Sequence, residues 1–150
     1  MPAAVIPNEG LGAQLLELLG KQAPGVLPWQ LLFWVNDIEP DAGTVLADLE
    51  EATFGGYARL TLDRDEWTGL SVANGCAKVT WGMEPQIWYV TSGPVETIYG
   101  YAFLDPGYNV LRLVQRFDDA DIEPIKLGGK VMMLPEYTLT SCACPTSGGA

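Results

Sequence analysis

The side chains in this chain that could carry chemistry are mostly carboxylates. Asp63, Asp65 and Glu66 lie together in DRDEW, Glu50 and Glu51 adjoin, and Asp118, Asp119, Asp121 and Glu123 crowd into DDADIE. Paired carboxylates are the machinery of glycoside hydrolysis, and Trp67, next to the first cluster, could stack on a sugar ring. Arg64 stands between these acids, however, and the segment falls where a strand ends, so a solvated turn is expected. DDADIE offers hard oxygens at close spacing, as a calcium loop does, but lacks the ligand order and central glycine of an EF-hand. An acidic loop is the expectation there.

Other routes to chemistry are closed by residue type. The chain has no histidine, which excludes Ser-His-Asp and Cys-His nucleophilic sites and the commonest group titrating near neutral pH. Gly55-Gly56 and Gly128-Gly129 lack the further glycine and Lys-Ser/Thr pair that would cradle a phosphate. Cys76, Cys142 and Cys144 are odd in number and supply too few ligands for a zinc site, so free thiols are expected. The reading is a chain that is no enzyme and needs no metal or cofactor.

At 150 residues the chain suits one domain. Its residues are 48% hydrophobic and only 18% charged, against about 25% charged in an ordinary soluble domain. Apolar material in that excess is expected to be covered partly by other subunits. The net charge is −11, and the eight basic residues are scattered. Binding to nucleic acid or to an anionic membrane is therefore not expected. No apolar run approaches the roughly 20 residues of a membrane-spanning helix. The first residues lack a basic stretch followed by an apolar one, so folding in a cytoplasm is expected.

The elements that must position any site begin with an extended arm over Met1–Asn8. A helix follows over Gly10–Lys21, with Leu11, Leu15, Leu18 and Leu19 on one stripe expected to dock on the body or on a neighbour. Ala23–Pro28 reads as a hinge, which gives an arm over 1–28, a β-domain over 29–141 and a flexible tail over 142–150. Trp29, Leu31, Phe33 and Val35 alternate with Gln30, Leu32, Trp34 and Asn36, the pattern of a strand covered on both faces. Thr44 is placed to cap a short turn over Val45–Leu49. Further strands are expected over Ala58–Leu62, Ser71–Val72, Ala77–Trp81, Gln86–Thr91, Ile98–Leu104, Val110–Phe117 and Tyr137–Ser141. Asp105-Pro106-Gly107 marks a turn, and Gly128-Gly129 marks a hairpin between Lys126-Leu127 and Lys130–Leu134. The fold class is mainly β, an antiparallel sandwich or barrel with an N-terminal helical arm. Trp67 and Trp81 adjoin turns, and with the leucine stripe they form the candidate interface.

Thr44–Leu62 (TVLADLEEATFGGYARLTL), Ile98–Asp105 (IYGYAFLD) and Val110–Phe117 (VLRLVQRF) follow one another in an order of their own. With Ile6–Leu11 (IPNEGL) and Val131–Ser141 (VMMLPEYTLTS), they make the chain resemble a family of small proteins of tailed-phage genomes and prophages. The resemblance implies a compact β-domain with a helical extension, made in the host bacterial cytoplasm as a virion component. It brings no catalytic or cofactor residues. The Cys-X-Cys tail and the aromatic WGMEPQIWYV segment depart from the family pattern. Two roles follow: a capsid decoration, or cement, protein on the outside of the head, or a tail- or fibre-associated module that recognises a host surface. Acidity suits the first, because packaged phosphates would repel an acidic lining. The expected partners are the major capsid protein and copies of the chain itself, as a homotrimer suited to local threefold positions.

Overall fold

Trp29–Trp34 (β1) lies at the centre of the molecule, apolar on both faces and buried on both. The computed structural model describes residues 4–18 and 27–140, without the side chains of Leu18, Leu139 and Thr140. Leu19, the 142–150 tail and most of the Ala23–Pro28 hinge lie outside the described residues.

β1 pairs antiparallel with Leu60–Leu62 (β2) on one side and with Gly100–Asp105 (β6) on the other, and β6 pairs with Val110–Arg116 (β7). This gives a four-stranded sheet in the order β2-β1-β6-β7. Trp67–Ala73 (β3), Cys76–Trp81 (β4) and Glu136–Thr140 (β9) form a three-stranded sheet, and Gln86–Tyr89 (β5) pairs with Lys130–Met133 (β8). The described sheets form a sandwich rather than a closed barrel. Leu31, Phe33, Tyr101, Phe103 and Leu113 point from the central sheet towards Trp81 and Trp88. Leu32, Trp34, Ala102, Leu104, Leu111 and Val114 form a second core on the opposite face, beneath Ile38, Leu46 and Leu49. The alternation read from Trp29–Asn36 is thus the division between two cores.

Several local expectations are corrected. Gly129 N–H donates to the Lys126 carbonyl, but the turn is held by Val90 on both sides, and Lys130–Met133 pairs with Gln86–Tyr89 instead of with residues 126–127. A distant strand outcompetes the local hairpin. Ala58 is exposed and precedes β2 rather than lining the core. The turn after Thr44 forms as a single 3-10 turn over Leu46–Asp48, but Asp48 Oδ2 takes the Val45 N–H at its start while Thr44 Oγ1 accepts from Asp41 N–H. Cys76 is disulfide-bonded, which corrects the free-thiol reading for that residue; its partner lies outside the described residues. No described helix is long and apolar enough to cross a membrane.

Candidate functional site

The site is built on an irregularity in β7. Phe103 stands opposite Leu113 while Leu104 stands opposite Leu111, so Arg112 is an extra residue, a β-bulge. A bulge breaks the ladder locally and re-aims side chains. Leu111 and Val114 therefore enter one core and Leu113 the other, and Arg112 is buried with its guanidinium 5.3 Å from the centre of the Trp29 ring.

Burying a charge requires partners. Asp105, fully buried at the other end of the β6–β7 turn, accepts from Arg112 Nη2 at 2.6 Å and from Nε at 3.2 Å. Its second oxygen accepts from Gly107 N–H at 3.1 Å and shapes the Asp105-Pro106-Gly107 turn. Glu17 also pairs with Arg112 Nη2. Burial opposes the Arg112 charge, but the Asp105 and Glu17 carboxylates outweigh it and hold the pKa above the ordinary arginine value.

Glu17 lies on Asn8–Leu18 (α1), which the bulge also anchors. Glu9 accepts from the Leu111 N–H, Gln14 donates to the Tyr137 hydroxyl, and Ala13 is buried. Gly10 sits so close to the Leu111 carbonyl and Arg112 Cα that a Cβ there would collide. The inward stripe is therefore Gly10, Ala13, Gln14 and Glu17, at helical spacing. Leu11, Leu15 and Leu16 are turned outward and are 47%, 55% and 43% exposed. The leucine stripe expected to dock the helix is the face it leaves free. Leu18's side chain and Leu19 lie outside the described residues.

Trp81 departs from its expected role. It is a core residue at the end of β4, packed in the main cluster, and its Nε1 donates to the Asp63 carbonyl. Trp67 is half-buried, edge-on to Trp29 and to Phe103. With Glu17, Leu62, Arg64, Val79 and Tyr137, the Trp29 and Trp67 rings line a cavity of about 400 Å³. Burial pushes the Tyr137 hydroxyl up to about 12, so it is neutral at physiological pH.

Beyond this cavity β3 is an exposed edge strand beside half-buried β4: every residue of β3 after Trp67 is exposed, and Leu70 and Val72 are 71% and 70% accessible. The acid clusters are solvated. Asp63, Asp65 and Glu66 are exposed around a 3-10 turn, and Arg116 gathers Asp37 at 2.8 Å, Glu39 at 3.2 Å and Asp119 at 3.8 Å. Among the described residues, no group of three or more Cys, Asp or Glu side chains is placed to hold a metal ion. No family model, curated protein or solved structure matches the chain.

Sequence reasoning missed Arg112 and Asp105. The signal was available as an acid and a base inside two largely apolar strands, since neither residue can enter a core alone.

Proposed function

We propose that this chain is a structural subunit of a tailed-phage particle, a decoration protein that binds the major capsid protein on the outside of the head and stabilises it. The observation that carries this reading is the outward leucine face of α1, an apolar surface suited to assembly between protein subunits, a second copy of the chain among them. A helix anchored at Glu9, Gly10, Gln14 and Glu17 holds Leu11, Leu15 and Leu16 in solvent, where apolar side chains on an ordered element suit a protein partner. The net charge of −11 suits an outer position, and the solvated acid clusters favour attachment over catalysis.

The test is to add purified chain to phage heads that lack it and to image them. Many copies spread over the outer surface, with DNA release moved to higher temperature, would support the reading. Absence of binding, or a few copies at one vertex, would overturn it.

A tail- or fibre-associated module is the second reading, and one observation favours it. The cavity presents Trp29, Trp67 and Tyr137 together with Arg64 and Glu17, aromatic walls and charged groups that suit a saccharide. Quenching of tryptophan fluorescence by host-surface glycans, abolished in Trp67→Ala, would favour this reading over the first.

A further inference from the structure

We propose that copies of this chain join head to tail, with the β3–β4 hairpin of one copy lying on the outward leucine face of α1 of the next. The inference deepens the assembly reading and rests on it for the ring's place on a head. The contact itself is a property of the purified chain.

Charge selects the two surfaces. Copies with a net charge of −11 repel one another over most of their area. Asp37, Glu39, Asp41, Asp48, Glu50 and Glu51 make one long loop acidic without a single base. From Trp67 to Trp81 there is no acid at all, and Lys78 is the only charged residue. On α1 both acids, Glu9 and Glu17, turn inward to Leu111 and Arg112, so the outward face is uncharged. These are two surfaces on which a second acidic copy can settle without bringing carboxylates together.

Both surfaces are apolar and belong to ordered elements, and their shapes differ. Ser71 stands opposite Lys78 and Val72 opposite Ala77, so Leu70 and Val72 share the face of Ala77 and Val79. That face continues the inner side of the sandwich from half-buried Ala77 and Val79 out to Leu70 and Val72, which stand largely in solvent. A helix is a standard cover for a sheet face, and α1 offers one. Strand-to-strand pairing along β3 is less suitable, because a bulge interrupts it between Thr68 and Ser71 and Gly69 has a φ of +68°. Ile87, Tyr89 and Met132 make another exposed apolar patch, on the β5–β8 ribbon, but there Tyr89 stands opposite the charged Lys130, while Met83, Val95 and Leu127 stand singly in turns and loops. Two different patches make a heterologous contact, which closes into a ring if the rotation allows; three copies would match the threefold position of the decoration reading.

Sedimentation of the wild-type chain at micromolar concentration should give a closed oligomer. Leu70→Asp with Val72→Asp, and separately Leu11→Asp with Leu15→Asp, should each give a monomer with unchanged circular dichroism. Association should weaken by roughly a hundredfold or more, the scale of losing two buried apolar side chains. An equimolar mixture of the two variants should form a one-to-one dimer, since one intact hairpin then meets one intact helix. A monomeric wild type, an oligomer in either variant, or a mixture that stays monomeric would overturn the contact. Head binding is scored separately. A wild-type oligomer that ignores heads would sink the decoration reading alone, and a monomer that binds them would sink the contact alone.

Discussion

Glu9 Oε1 accepts a hydrogen bond at 2.8 Å from the backbone N–H of Leu111, 102 positions further along the chain. That N–H is available because the bulge at Arg112 takes the strand out of register. The same bulge turns Arg112 towards Glu17, one end of α1 being held by a backbone group and the other by a buried cation. One break in a strand ladder thus decides both where the helix sits and which of its faces remains in solvent.

Glu9→Ala should lower stability by about 1–3 kcal/mol, the cost of leaving a buried donor unsatisfied. Glu9→Gln keeps an acceptor oxygen and should cost clearly less. Urea unfolding followed by tryptophan fluorescence measures both, and equal losses would show that the bond to Leu111 is not the anchor.

Asp105→Ala should be among the most damaging substitutions in the chain, at about 3–5 kcal/mol, because it leaves Arg112 charged and buried beside a single carboxylate. Asp105→Asn combined with Arg112→Met removes both charges and keeps the acceptor for Gly107, so it should recover most of that loss. Thermal unfolding of the two variants compares them directly. A double variant as unstable as the single one would mean that packing, rather than the unpaired charge, sets the cost.

Two glycines should respond with opposite signs. Gly56 has a φ of +92° and faces the Tyr89 carbonyl, so Gly56→Ala should cost at least about 1 kcal/mol. Gly12 lies on the open face of α1 with nothing near a Cβ, and Gly12→Ala should stabilise by roughly 0.5–1 kcal/mol. Denaturant midpoints at constant slope decide both.

A pH effect follows from Glu51. Arg59 grips both its oxygens at 2.7 and 2.8 Å and Tyr57 donates at 2.6 Å. The Arg59 bonds lead in lowering the Glu51 pKa, against the opposing effect of burial, and Tyr57 adds to the lowering. A depressed folded pKa means stability that is present above the unfolded value near 4.5 and lost as pH falls through the folded one. The stability gap between wild type and Glu51→Gln should therefore be flat at neutral pH and shrink below about pH 4.5. It should be small, because the side chains are 35% and 32% exposed and screened by solvent. A gap that persists unchanged to pH 3 would contradict the linkage.

The sequence by itself determined what depends on neighbouring residues. The period-two alternation from Trp29 to Val35 reports burial on both faces, because successive side chains of a strand must point opposite ways, and Leu31 and Phe33 do lie in one core with Leu32 and Trp34 in the other. The Asp105-Pro106-Gly107 turn is legible for the same reason, its geometry being held by an aspartate two residues before the N–H it binds. The mainly antiparallel β class follows from many short runs punctuated by Gly, Pro and Asn.

Tertiary structure decided everything that depends on a competition between distant surfaces. Gly128-Gly129 turns the chain, yet β8 pairs with β5, because the ribbon they form covers the central sheet. The leucines of α1 look like its buried stripe, but the helix approaches a bulged strand closely enough to require Gly10 and Ala13. It also meets the Leu111 N–H, which Glu9 accepts, and the buried Arg112 guanidinium, to which Glu17 adds a second carboxylate beside Asp105. Hydrophobic spacing ranks the faces of an isolated helix. An unsatisfied donor or a buried charge costs more than an exposed leucine, so the polar face wins the contact and the leucines are left facing outward.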